Sequence, residues 1–113
     1  MAKYLLMFMH ADDERAGRSE AEQKATYAKV GTWWEEHSKA GRLLGGEELA
    51  APSTATTVRH TAKGPVVTDG PYLEAKELIG GYGLIDVPSL DEAIAMAKTW
   101  PAGTVEIRPL VDM

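Results

Sequence analysis

The chain contains no cysteine, which excludes disulfides, thiolate metal sites and a cysteine nucleophile together. That fits a reducing, cytoplasmic setting. Basic charge is scarce too: twelve Lys and Arg stand against seventeen Asp and Glu, for a net charge of −5. The basic residues form no stripe, so no nucleic-acid partner is expected. No apolar run is long enough to cross a bilayer. The short one near the start, Tyr4 to Met9, reads as a strand rather than a signal peptide, and no membrane partner is expected. There is no Gly-x-Gly-x-x-Gly after that strand, no phosphate-cradling loop ending in Gly-Lys-Ser/Thr and no Gly-x-Ser-x-Gly elbow. Nucleotide-driven and hydrolase-triad chemistry therefore find no support. Repeats, low-complexity tracts and linkers are also missing. What remains is one domain over residues 1–113, long enough to bury roughly 65% of the surface its unfolded form exposes.

The order of elements can be read from periodicity and punctuation. Tyr4 to Met9 is apolar at nearly every position, as in a strand covered on both faces. A polar loop, His10 to Arg18, follows. Ser19 with Glu22 three residues on forms a capping box that starts a helix. Its apolar stripe is Tyr27, Val30, Trp33, Trp34 and His37, and Gly41 is its C′ residue. A second strand is expected around Arg42 to Leu49. Thr54 to His60 and Val66 to Thr68 form a hairpin turned at Lys63-Gly64. Leu78 to Val87 is a further strand, and its glycines at 80, 81 and 83 signal a bulge or close backbone approach. Ser89 and Glu92 cap a second helix with an apolar face of Leu90, Ala93, Ile94 and Ala97. Trp100-Pro101 closes it, and Thr104 to Leu110 is the last strand.

This order predicts an α+β fold: a ferredoxin-like βαββαβ sandwich with an inserted β-hairpin and both helices on one face of an antiparallel sheet. The other face then needs a cover, because a first strand apolar on both sides would otherwise expose a large patch. Two copies meeting across a two-fold axis supply it. The expected assembly is a homodimer built as a dimeric α+β barrel.

The run Val67-Thr68-Asp69-Gly70-Pro71-Tyr72-Leu73-Glu74-Ala75-Lys76-Glu77 resembles the signature of the YCII-related proteins, often called the DGPF-domain family. Ala40-Gly41-Arg42-Leu43-Leu44-Gly45-Gly46-Glu47-Glu48-Leu49, Leu78-Ile79-Gly80-Gly81-Tyr82, Ser89-Leu90-Asp91-Glu92-Ala93 and Val105-Glu106-Ile107-Arg108-Pro109 extend the likeness almost end to end. Tyr72 departs from the Phe of the family's name while keeping the ring. The resemblance implies a dimeric α+β barrel related to muconolactone-isomerase-like proteins, without a settled reaction. A His–Asp pair proposed for the wider group does not carry over. Its His would fall in the first helix near Ala28, Lys29 and Val30, where there is none.

Candidate catalytic residues are Asp69, Lys76, Glu77 and His10, and candidate substrate-binding residues are Tyr72, Glu74, Arg59 and Arg108. Asp69-Gly70-Pro71-Tyr72 has the makings of a plain turn; it can also aim Asp69 and Tyr72 into a barrel mouth. Glu74 and Lys76 point the same way in an extended stretch and Glu77 the other, which suits a solvated charge cluster as well as a proton-transfer site. His10 is the best-placed general base, at the end of a strand. His37 reads as a satisfied core or interface residue, and His60 as exposed near the hairpin turn. The Trp residues and Tyr27 read as packing. Arg59 and Arg108 can hold a carboxylate, although Glu106 is a ready partner for Arg108. No histidine pair has ligand spacing on one element, so neither a transition metal nor another cofactor is expected. Two readings of function follow. One is a small cofactor-free acid–base enzyme acting by isomerisation, elimination or similar proton transfer on a small polar or acidic ligand. The other is a non-catalytic ligand-binding or regulatory dimer. A third, an oxygen-using monooxygenase of the small dimeric-barrel kind, has only Met and aromatic content behind it.

Overall fold

Tyr4, Leu6 and Phe8 alternate with Leu5, Met7 and Met9, and that period of two gives the first strand two apolar faces. The computed structural model describes residues 2–11, 19–72 and 77–111; the polar loop over 12–18 lies outside them. Strand β1 is Ala2–Ala11, helix α1 Glu20–Lys39, β2 Leu43–Glu48, β3 Thr56–Thr61, β4 Gly64–Asp69, β5 Glu77–Val87, helix α2 Leu90–Lys98 and β6 Val105–Pro109. A single 3-10 turn, Pro52–Thr54, precedes β3. Four strands form one sheet in the order β2-β5-β1-β6, every neighbour antiparallel. With the β3–β4 hairpin set aside, the connectivity is βαββαβ, compatible with a ferredoxin-like α+β fold.

The helices start and stop where their caps dictate. The Ser19 hydroxyl accepts from the Glu22 N–H at 3.1 Å, and the Ser89 hydroxyl accepts from the Glu92 N–H at 3.4 Å. Each satisfies one of the orphan donors of a first helical turn. At the end of α1, Gly41 takes φ +76°, a left-handed conformation that a side chain would oppose. The Gly41 N–H then reaches the Ser38 carbonyl at 3.1 Å, and the Arg42 N–H reaches the His37 carbonyl at 3.0 Å. This pair of bonds is a Schellman motif. It folds Arg42 back beneath the last turn of the helix.

One face of the sheet carries the core. Tyr4, Leu6 and Phe8 of β1 pack with Ile85 and Val87 of β5, Leu43 of β2, Trp33 of α1, and Ala93 and Met96 of α2. Phe8 stacks on Trp100 with ring centroids 3.9 Å apart and meets Trp33 edge-on at 5.9 Å. The Trp33 indole N–H donates to the Thr99 hydroxyl at 2.9 Å, so the ring that fills the core also ties the two helices together. Of the stripe expected on α1, Trp33 and His37 are buried, and Val30 and Trp34 are half-buried. Tyr27 departs from that expectation. It is 52% exposed and its hydroxyl donates to Glu48 at 2.9 Å, because only the C-terminal half of α1 is buried against the sheet. On α2 the expected face is shifted: Ala93 and Met96 are buried, Ile94 and Ala97 are half-buried, and Leu90, at the helix start, is exposed.

The glycines of β5 mark a bulge and a close approach. Phe8 pairs with Gly81 and Met9 with Ile79, leaving Gly80 as the extra residue. Opposite, Gly46 of β2 has φ +150°, and a Cβ there would strike the Tyr82 carbonyl oxygen and come within 2.8 Å of Gly83 Cα and 2.9 Å of Trp34 Cη2. The hairpin turns at Ala62-Lys63 rather than Lys63-Gly64, since Thr61 pairs with Gly64 across a two-residue loop.

Among the described residues the other face of the sheet carries no helix. Register places Leu5 opposite Leu84, Met7 opposite Tyr82 and Met9 opposite Ile79, giving an apolar band across two central strands. Ile79 and Tyr82 are exposed, Leu5, Met9 and Leu84 are half-buried, and Met7 is buried. The chain is a slab of 48 × 44 × 19 Å with a radius of gyration of 16.1 Å, where a compact chain of this length has about 13 Å.

Candidate functional site

The turn at residues 69–72 is held by the hairpin it leaves. Gly70 N–H donates to the Ala55 carbonyl at 2.7 Å, and the Thr57 hydroxyl donates to the Gly70 carbonyl at 2.7 Å. The Arg59 guanidinium donates to the Tyr72 carbonyl at 3.2 Å and lies 4.9 Å from the centre of the Tyr72 ring. The stretch from Ala55 to Arg59 thus grips the turn at three points, two of them through side chains at alternate positions of β3. Thr57 and Arg59 share one face because they are two residues apart on a strand. Arg59 and Tyr72 are brought together at this end of the hairpin, whereas Asp69, opposite Thr56, falls on the other face from Thr57 and Arg59; all three are exposed.

The remaining candidates are distributed differently. Glu74 and Lys76 lie outside the described residues. For His10 and Glu77 only the strand register is described: His10 pairs with Leu78, and Glu77 with Ala11. Their backbones are neighbours, one position out of step. Arg108 is on the edge strand β6, where it donates to Glu106 at 2.7 Å, the partner its sequence neighbourhood offers. His60 is exposed and pairs with Pro65 next to the hairpin turn.

A second locus was not among the candidates. Between α1 and α2 lies an open groove of about 830 Å³, within the size range of small-molecule pockets. Trp33, His37 and Met96 line it together with Lys29 and Arg42, and Thr99 stands on the α2 side. Glu36 and Glu92 also line it, one acid from each helix. Arg42 Nε–H donates to His37 Nδ1 at 3.0 Å. Because a guanidinium is always a donor, Nδ1 is the acceptor and the proton of the neutral ring sits on Nε2. Burial, aided by the adjacent Arg42 charge, lowers the His37 pKa from its ordinary 6.5, with Glu36 pulling weakly the other way. The backbone of Arg42 is pinned at both ends, its N–H on His37 and its carbonyl accepting from the Asp86 N–H at 2.9 Å. The signal for this pair was present in the sequence: Gly41 as C′ makes Arg42 the C″ residue, one whose N–H returns to position 37.

A mainly antiparallel sheet with two helices on one face and a hairpin arm define a small α+β domain, compatible with a ferredoxin-like fold. The YCII-related domain profile matches residues 3–113. The chain belongs to the YCII-related family. It is similar to an uncharacterised protein of Rhizobium meliloti, 30% identical over 112 residues that cover 95% of this chain and 90% of the relative. Among the described residues no helix is long and apolar enough to cross a membrane.

Proposed function

We propose that the chain works as a homodimer, a dimeric α+β barrel closed by two sheets meeting face to face. In this reading it acts on a small polar or acidic molecule by acid–base proton transfer at the barrel rim. The helix-free face supports the assembly: of its apolar band, Ile79 and Tyr82 are exposed and Leu5, Met9 and Leu84 half-buried, with no helix over them among the described residues. The observation that carries the chemistry is the ordered end of the hairpin: Asp69 closes β4 opposite Thr56, and the clamp of Arg59 on Tyr72 fixes the turn that follows it. From Tyr72 the chain reaches Glu77, at the start of β5, in five residue steps, a span of at most about 18 Å. Asp69, Lys76, Glu77 and His10 are the acid–base groups of this reading, and Tyr72, Glu74, Arg59 and Arg108 its binding groups. The chemistry is isomerisation, elimination or a related proton transfer that needs no cofactor.

The test is deuterium wash-in from D2O into a panel of small carbon acids (2-oxo acids, β-keto acids and unsaturated lactones), followed by proton NMR. Exchange is expected in at least one, and Asp69→Asn lowers its rate roughly a hundredfold or more, the usual contribution of a general base. Variants Asp69→Asn and Lys76→Met that fold and exchange at the full rate remove the enzymatic reading. The exposure of Asp69 in the single chain favours one alternative, a dimer that binds or regulates without chemistry. A molecule that copurifies with the protein and is recovered unchanged, with no exchange in the panel, decides for it.

A further inference from the structure

We propose that the groove between α1 and α2 is a binding site for a small organic oxyanion with an apolar body, its charge held by Arg42 and Lys29 and its body laid on Trp33 and Met96. The site shares no residue with the turn at 69–72 or its acid–base groups.

Three features of the groove point to an oxyanion. Arg42 is preorganised: its backbone is bonded on both sides and its Nε is spent on His37, so the two terminal nitrogens remain as a fixed fork. Neither Arg42 nor Lys29 has an ion-pair partner among the described residues, whereas Lys39 is paired with Glu35 at 2.9 Å and Arg108 with Glu106 at 2.7 Å. A rigid guanidinium fork without a carboxylate matches the two oxygens of a carboxylate or phosphate. The floor, meanwhile, is the Trp33 ring and Met96, both buried in the core and both lining the groove, an apolar bed that a bare inorganic ion would not use. Glu36 and Glu92 on the two walls favour a ligand that also carries a hydroxyl or amino donor. Because the helices lie on the opposite side of the sheet from its bare face, two sheets closing together leave the groove open.

The groove is also held in shape. Trp33 is locked by its bond to Thr99, and its ring centroid lies 4.6 Å from that of His37. His37 in turn fixes Arg42 through Nδ1. A ligand therefore meets a floor and a fork already in place, which limits the ordering cost of binding.

The experiment is titration of the 15N-labelled full chain with benzoate, 3-hydroxybenzoate, phenyl phosphate, benzamide and inorganic phosphate. The Trp33 indole N–H, assigned through Trp33→Phe, is the probe. Benzoate or phenyl phosphate is expected to shift that resonance saturably, with 3-hydroxybenzoate tighter than benzoate; comparing benzoate with phenyl phosphate tells which oxyanion the fork prefers. Arg42→Met is expected to weaken the binding roughly tenfold or more, as loss of a charge-assisted hydrogen bond does. Lys29→Met, on an exposed stretch of α1, is expected to weaken it severalfold without touching the fold. No saturable shift with either oxyanion would overturn the proposal. So would equal binding of neutral benzamide, inorganic phosphate as tight as phenyl phosphate, or full affinity in folded Lys29→Met and Arg42→Met together.

Discussion

His37 shows how one residue can serve the core and a surface site at once. Its ring is packed against Trp33, and its Nδ1 takes a hydrogen bond from Arg42 that only the neutral ring protonated on Nε2 can accept. Burial and the Arg42 charge both lower its pKa in the folded state. The unfolded chain then binds the extra proton first, so stability falls as the pH drops below 6.5 and levels off below the folded pKa. His37→Gln removes that part of the dependence. Urea unfolding at pH 7.5 and 5.5 is expected to show a smaller loss in the variant than in the parent, and equal losses would refute the assignment. The sequence marked His37 as a satisfied core residue and marked Gly41 as the C′ position. It did not join the two, because the contact depends on a backbone reversal that periodicity does not register. Reading the motif through to its C″ residue would have reached Arg42.

At the scale of elements, the hairpin and the turn after it behave as one unit. Thr57 and Arg59 hold the turn by side chains, and Ala55 holds it by backbone. Thr57→Val keeps the shape and removes one hydrogen bond, worth about 1 kcal/mol. Amide exchange at Gly70 is expected to speed up about fivefold while core amides of β1 and β5 keep their rates. A uniform acceleration would mean instead that the hairpin is part of the main cooperative unit. The order of the strands and helices among the described residues was legible because caps, turn residues and hydrophobic alternation agreed with one another. Less legible was the extent of burial along α1. Tyr27 fits the apolar stripe on a helical wheel, yet a wheel does not show which half of a helix the sheet covers. The grip of Arg59 on Tyr72 was hidden as well, since thirteen residues separate the pair in sequence; both read as binding residues, with nothing in the pattern to link them.

At the scale of the whole molecule, thickness decides. A slab 19 Å deep has room for one sheet and one layer of helices, and among the described residues no helix lies over the band through Leu84 and Tyr82. Under the proposed assembly, sedimentation equilibrium is expected at twice the chain mass of 12.2 kDa. Leu84→Arg, placing a charge in the middle of the band, is expected to shift the protein to monomer at micromolar concentration. A parent already monomeric there, or a variant that stays paired with unchanged affinity, would remove the barrel. The sequence pointed to this face through the apolar residues on both sides of β1. It could not say what meets that face, because a second copy leaves no trace in the pattern beyond the need for cover.

The aromatic cluster carries a practical consequence. All three tryptophans of the chain lie in or against a single core cluster, and Trp33 and Trp100 are 5.0 Å apart at near right angles. Their emission and near-ultraviolet ellipticity therefore report one event, the loosening of helices from sheet. The hairpin, with no indole of its own, is dark to both. An optical melt of this protein follows its centre and passes over its arm.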